Sequence, residues 1–247
     1  MATVNREDLA DLPPSQIVPK LADEGVYLAS ESTMYRILGE NKQLRHRGRA
    51  KEPALATPIV RVATKPRQIW SWDITYLRSP VKGAFLYLYL LMDVWSRKIV
   101  GFTVQEAEDG KLAAKMTRRA VLAEGVEEME LTVHSDNGGP MKAATLLATL
   151  QRLQIAPSFS RPRVSDDNPY SEALFRTAKY RPDFPEPCFA SLEHARRWVA
   201  AFVRWYNEEH LHSGVRFVTP TDRHTGRDVE LLAAREGVYA AAKARHS

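Results

Sequence analysis

The run Phe85-Leu86-Tyr87-Leu88-Tyr89-Leu90-Leu91-Met92 is apolar or aromatic at every position. A strand of that composition has no face to give to water, so it predicts a central strand buried on both sides. Upstream, Trp72, Ile74 and Tyr76 alternate with Ser71, Asp73 and Thr75. This two-residue period is that of a strand, and it puts Asp73 on the face opposite the aromatic set. Downstream, Ser96-Arg97 allows only a tight connection before Lys98-Ile99-Val100-Gly101-Phe102-Thr103-Val104 returns as a third strand. The three runs predict an antiparallel meander.

The period then lengthens. Lys111 to Glu124 reads as a helix with Leu112, Met116, Ala120 and Leu122 on or near one face. The short run Glu130-Leu131-Thr132-Val133-His134-Ser135 follows it, as the product of a right-handed crossover should. A helix over Ala143 to Leu153 precedes Ile155 to Ser160, a fifth strand that Pro157 confines to an edge. Pro169 is a first-turn proline for a helix running to Lys179, and Ser191 caps a long helix with Leu192, Ala195, Trp198, Val199, Phe202, Trp205 and Tyr206 toward the core. The segment around Pro220 reads as loop, and Val229 to Ala244 as an alanine-rich final helix. The fold class is α/β: a mixed five-stranded sheet flanked by helices, with a small helical N-terminal region.

In that N-terminal region, Leu12-Pro13-Pro14-Ser15 starts one helix and Ser30-Glu31-Ser32-Thr33 caps a second, with Asp23-Glu24-Gly25 between them. The pair resembles a helix-turn-helix, whose second helix would enter a major groove; a plain helical hairpin packed on the main domain is the alternative. Lys42, Arg45, His46, Arg47, Arg49 and Lys51 follow within ten residues, and Pro53, Pro58 and Pro66 punctuate an extended stretch. Such a run suits phosphate contacts but equally suits a solvated linker. The expected organisation is a DNA-binding region over 1–50, a basic proline-containing linker over 51–68, a catalytic core over 69–225 and a C-terminal helix over 226–247.

The formal net charge of +5 makes an anionic partner plausible without demanding one. Cys188 is the only cysteine, which excludes an intrachain disulfide and a paired-cysteine zinc site. His210 and His212 do not share a helical face, and no apolar run is long enough to span a membrane. A reducing, cytoplasmic location is expected.

Three carboxylates stand at elements or their edges. Asp73 lies in the first strand, Asp136 closes His134-Ser135-Asp136 ahead of Asn137-Gly138-Gly139-Pro140, and Glu172 lies in the first turn after Asn168-Pro169-Tyr170-Ser171. Magnesium takes hard oxygen ligands, and two such ions ~3.5–4 Å apart can serve both oxygens of an in-line phosphoryl displacement. Arg176 and Lys179, on the helical face of Glu172, could meet phosphate. Asp93, Asp166 and Asp167 are rival carboxylates that spacing alone leaves open, and each acid singly reads as well as a turn or capping residue.

Taken together, Trp72-Asp73-Ile74-Thr75-Tyr76, Asp93-Val94-Trp95-Ser96-Arg97-Lys98-Ile99-Val100-Gly101, His134-Ser135-Asp136-Asn137-Gly138-Gly139 and Asn168-Pro169-Tyr170-Ser171-Glu172 resemble the integrase catalytic core of DDE transposases. The likeness is to insertion-sequence transposases of the IS-three family made from a second reading frame. The 35 residues between Asp136 and Glu172, Lys179 seven positions after the glutamate, and the tail Trp205-Tyr206-Asn207 … His210 … Thr219-Pro220 extend the resemblance over about residues 60–225.

The resemblance implies a ribonuclease-H-like fold. It also implies Mg²⁺ or Mn²⁺, two ions, held by Asp73, Asp136 and Glu172 as the catalytic residues. A water would cut element-end DNA, and the freed 3′-OH would attack target DNA. Lys179, Arg176, Asn137, Arg45, Arg47 and Arg49 are the candidate DNA contacts. Double-stranded DNA is the implied partner, bound by a homodimer or higher assembly in the cytoplasm, at the nucleoid. The short N-terminal region implies that the first-frame product is a further partner. A DNA-binding repressor or inactive copy, and a metal-dependent nuclease without strand transfer, are the rival readings.

Overall fold

The computed structural model describes residues 3–41, 43, 62–126, 130–136, 138–160 and 168–245. Arg45, Arg47, Arg49, Asn137, Asp166 and Asp167 lie outside the described residues. The chain divides into two compact units, one of Ala56–His210 with Thr219–His224 and the other of Met1–Leu55, Leu211–Val218 and Thr225–Ser247.

The larger unit is built on strands β1 (Ile69–Arg78), β2 (Phe85–Asp93), β3 (Ile99–Gln105), β4 (Thr132–Ser135) and β5 (Ala156–Phe159). They pair in the order β3-β2-β1-β4-β5. The first three form the expected antiparallel meander, with Asp73 opposite Leu90, while β4 lies parallel to β1 and β5 parallel to β4. This is the mixed five-stranded sheet that the sequence predicts. The apolar β2 is not its centre, however: β1 is, because β4 joins the sheet on the side of β1 away from β2. Having a strand on each side and helices over both faces explains the composition of β2 just as well.

The helices are α1 (Pro14–Asp23) and α2 (Glu31–Glu40) in the smaller unit, then α3 (Gly110–Glu124), α4 (Ala144–Arg152), α5 (Pro169–Lys179), α6 (Leu192–Glu208), α7 (Pro220–Thr225) and α8 (Asp228–Arg245). On one face of the sheet, Trp70, Trp72, Tyr89 and Leu91 pack with Ala113, Met116 and Ala120 of α3 and Leu146 and Leu150 of α4. On the other, Leu77, Leu88, Leu90 and Met92 meet Leu174 and Phe175 of α5 and Val199, Phe202 and Tyr206 of α6. At ~1.5–3 kcal/mol for each fully buried large apolar side chain, these two cores supply the principal stabilisation.

Local signals set the helix ends. The Asp109 carboxylate caps α3 by accepting from Lys111 N, and Gly125 ends it at φ 62, a left-handed conformation that glycine adopts without strain. Ser191 caps α6 by accepting from His194 N. Leu122 is 59% exposed, off the core face where it was expected, and Val121 and Glu124 are buried instead. The helical turn advances about 100° per residue, so position 122 cannot share the stripe of 112, 116 and 120.

Pro220 opens the short helix α7 rather than lying in a loop. Thr219 and Asp222 form a reciprocal cap, Asp222 N donating to Thr219 Oγ1 at 3.0 Å and that hydroxyl donating to Asp222 Oδ2 at 2.7 Å. The tail motif packs the same unit. Asn207 forms a paired bridge to the Ile99 backbone, accepting from its N–H and donating to its C=O, each at 2.9 Å. Tyr206 stacks on His210 with 5.3 Å between ring centroids.

In the smaller unit Leu9, Ile17, Leu21 and Met34 form a small core. Ser30 caps α2 by accepting from Thr33 N, and Gly25 makes the turn at φ 75. The last helix joins the first here: Arg235, 3% exposed, donates to both carboxylate oxygens of Asp23. Among the described residues no helix is long and apolar enough to cross a membrane.

Candidate active site

Asp73, Asp136 and Glu172 come from a central strand, the end of its parallel neighbour and a helix packed on the sheet. The β1–β4 ladder ends at Trp72 opposite Ser135, so Asp73 and Asp136 are each the next residue along adjacent parallel strands. Helix α5 carries Glu172 in its first turn and packs against β1.

A buried polar lock fixes α5 to β1. Ser71 Oγ donates to Asn168 Oδ1 at 2.5 Å and lies 2.7 Å from Ser171 Oγ, while Asn168 Nδ2 donates to the Trp72 carbonyl at 3.3 Å. Ser71, Asn168 and Ser171 are each at most 4% exposed. The residues flanking Asp73 are thereby tied to those flanking Glu172. The sequence offers Asn168 and Ser171 only as the start of a helix; their spacing of three, with Glu172 next and a serine two before Asp73, was the available signal.

The electrostatics show that the acids are neighbours. Burial pushes the Asp73 carboxyl up to about 7, and repulsion from Asp136 and Glu172 adds to the rise, against the opposing pull of the Ile74 N–H and of Lys179. Lys179 reaches inward, its ammonium donating to Thr75 Oγ1 at 2.8 Å. Burial pushes its pKa down and Asp73 pulls it back up. Arg176, by contrast, lies over the Tyr180 ring at 5.8 Å. Asp136 Oδ1 accepts from Gly138 N at 2.9 Å, and a Cβ at Gly138 would stand 3.0 Å from that oxygen. A side chain there would press on the Asp136 carboxylate.

Asp93, a rival carboxylate, is fully buried and used by its own turn: it accepts from Ser96 N and Oγ at 2.8 Å each and from Arg67 N at 2.7 Å. Ser96 Oγ continues to His224 Nδ1 at 2.9 Å, and His224 Nε2 to Glu124 Oε2 at 2.9 Å. Lys98 completes this buried chain by donating to Glu124 Oε1 at 2.7 Å. Burial pushes the Glu124 carboxyl up, but the bonds from His224 and Lys98 outweigh it and hold it at about 2.

Among the described residues no three carboxylate, imidazole or thiolate groups converge closely enough to enclose an ion. The three acids are electrostatic neighbours, not a preformed cage. Their chemistry nevertheless suits a hard divalent cation, because the donors are all oxygen.

Two integrase core domain families match this chain, one over residues 63–165 and one over 153–220. The transposase for insertion sequence element IS904 of Lactococcus lactis subsp. lactis (strain IL1403) is 31% identical over 163 residues, which is 65% of this chain and 62% of that protein. Transposase InsF for insertion sequence IS3A of Escherichia coli (strain K12) is 31% identical over 159 residues, 64% of this chain and 54% of that protein. The chain thus spans less than two thirds of either relative. Among solved structures, a chain of the simian T-cell lymphotropic virus intasome in complex with PP2A regulatory subunit B56 gamma superposes with a TM-score of 0.52 at 16% identity, over 79% of this chain and 67% of that one. At that identity the likeness concerns the fold, which is ribonuclease-H-like.

Proposed function

We propose that this chain, which matches two integrase core domain families and is similar to insertion-sequence transposases, cuts DNA at the ends of an insertion element and joins those ends to target DNA, with Asp73, Asp136 and Glu172 as its catalytic carboxylates. The observation that carries this reading is that Asp73 and Asp136 each follow the last paired position of the parallel β1–β4 ladder, with Glu172 in the first turn of the helix tied to β1 through Ser71, Asn168 and Ser171. In the first step a water oxygen bonds to phosphorus as the bond to the 3′ oxygen breaks; in the second that 3′-OH attacks a target phosphodiester, exchanging one such bond for another.

Asp73, Asp136 and Glu172 would hold Mg²⁺ or Mn²⁺, two ions in the fuller version. Bound there, the metal supplies Lewis-acid activation and neutralises charge developing on the phosphoryl oxygens. The Ser71–Asn168–Ser171 lock keeps the strand and helix carboxylates in register, and Gly138 leaves Asp136 room. Lys179, held on Thr75, contacts a substrate phosphate together with Arg176. Residues 1–50 bind DNA through α2, and Asn137, Arg45, Arg47 and Arg49 add contacts. The working form is a homodimer or larger assembly on DNA in the cytoplasm, with the first-frame product as a further partner.

One observation favours a second reading: the donors do not converge, as a DNA-binding repressor with an unproductive core would allow. A cleavage-and-joining assay on the element's terminal DNA separates the two, comparing wild type with Glu172→Gln in Mg²⁺ and in EDTA. Metal-dependent joined products, lost in the variant, are expected. Binding without product would establish the repressor reading, and cutting without joining a nuclease.

A further inference from the structure

Helices α3 and α4 pack side by side, and between them runs a cleft of about 480 Å³ lined by Lys111, Lys115, Arg118, Arg119 and Arg152 around a floor of small residues. Four of the cations fall at positions i, i+4, i+7 and i+8 of α3, so they share a helical face, and Arg152 faces them from the last turn of α4. All five are exposed, and among the described residues none holds an ion pair. No acidic residue lines the cleft. Exposed like charges held this close repel one another. Nothing in the fold uses them: the core-facing residues of α3 are Ala113, Met116 and Ala120.

We propose that this cleft holds the phosphate backbone of double-stranded DNA, as a site separate from the three carboxylates. The assignment rests on the chain acting on DNA. The floor, Ala114, Thr145, Ala148 and Thr149, is short enough for a sugar–phosphate strand to settle between the row of long side chains on α3 and Arg152. Over the eight helical steps from Lys111 to Arg119 the cations extend ~12 Å. Each strand of duplex DNA presents one charge per ~3.4 Å of axis, so about three or four successive phosphates of the strand in the cleft lie within that length, enough to engage most of the five cations. A lone phosphate or nucleotide could reach only one or two. A single strand would want rings for its bases to stack on, and the lining has none.

Gly110, the first residue of α3, sits so close to the residue before α4 that a Cβ there would collide with that of Ala143. The two helices therefore start side by side, and the cleft runs between them from that end. A backbone track of this kind reads no bases and holds DNA of any sequence.

The test is the salt dependence of binding by the full chain to a duplex unrelated to the element ends, measured by fluorescence anisotropy for wild type and for Lys115→Ala/Arg118→Ala/Arg152→Ala. Loss of three phosphate contacts should reduce the slope of log K against log salt by roughly 3 and weaken binding at least tenfold at low salt. Arg118→Lys/Arg152→Lys, which keeps the charge, should retain the wild-type slope, and matching urea unfolding curves establish that both variants fold. An unchanged slope in the triple alanine variant overturns the proposal. So does an unchanged slope with a lowered sedimentation mass, which would make the cleft a contact between copies of the chain. A reduced slope in a protein that joins no DNA leaves the cleft standing and removes the transposase reading; metal-dependent joining with an unchanged slope does the reverse.

Discussion

Replacing Asp73 with asparagine should stabilise the metal-free protein, and increasingly so as pH rises. The unfolded carboxyl has an ordinary value of 3.8 and the folded one about 7. Because the folded value is the higher, the native state is favoured by the protonated acid. That contribution is complete below pH 3.8 and is lost as pH rises through about 7. At ~1.4 kcal/mol per tenfold, the interval amounts to roughly 4 kcal/mol, and solvent screening at this partly exposed carboxylate reduces it to ~2–3 kcal/mol. Asparagine keeps the size and the acceptor for Ile74 N, which the Asp73 carboxylate now engages at 2.8 Å, and carries no charge to repel Asp136 and Glu172. Urea unfolding in EDTA from pH 4 to 8.5 should therefore show the two proteins diverging, the variant ahead by ~2–3 kcal/mol at the alkaline end. Saturating Mg²⁺ at pH 8 should close the gap by stabilising only the wild type. Parallel stability profiles across that range would refute the claim that burial and the neighbouring acids crowd Asp73.

The buried chain at Glu124 has the opposite sign. Its folded value of about 2 lies below the ordinary 4.5, so its stabilisation is present above pH 4.5 and lost as pH falls through about 2. Glu124→Gln should lower stability at pH 7 by on the order of 2–3 kcal/mol, with the difference closing toward pH 2 in thermal melts; a constant difference would count against the ion-paired reading. Asn168→Ala, which removes one of the two partners of Ser71 and the donor to the Trp72 carbonyl, should lower stability by ~1–3 kcal/mol and slow joining more than it weakens DNA binding in gel shifts. Equal losses in both assays would deny Asn168 its part in holding β1 to α5. Lys179→Ala should weaken DNA-end binding while divalent-ion affinity by calorimetry stays within a few-fold; a collapse of metal affinity would place Lys179 on the metal side.

The helices were legible because periodicity reports burial, and α6 repeats its apolar residues at helical spacing; β1 is less regular, with Trp70, Ser71 and Trp72 buried in succession and Tyr76 exposed. What escaped was set by partners far along the chain. That β1 and not β2 is central follows from where β4 inserts, a long-range choice with no local mark. Whether Asp93 served the site could not be decided from spacing, since a buried acid accepting hydrogen bonds from Ser96 and Arg67 and an acid open to a ligand look alike in sequence. The three candidate carboxylates were legible through a resemblance, whereas Ser71, Asn168 and Ser171 stayed hidden because short polar side chains near a helix start read first as caps. The helix at Pro220 was the avoidable miss: Thr219, Pro220 and Asp222 spelled a helix start.

The pairing of Asp23 with Arg235 has a consequence for the order of events during synthesis. Helix α1 has only ten residues and a proline within it, too short to persist alone in water. The guanidinium that neutralises Asp23 arrives 212 residues later. At translation rates of about 5–20 residues per second, the first helix waits roughly 10–40 s for the last. The stretch that forms α1 thus emerges from the ribosome well before α8 and completes its packing late, after the strands of the sheet have been made. A chain terminated early, before α8, would be left with a helix α1 that lacks its partner.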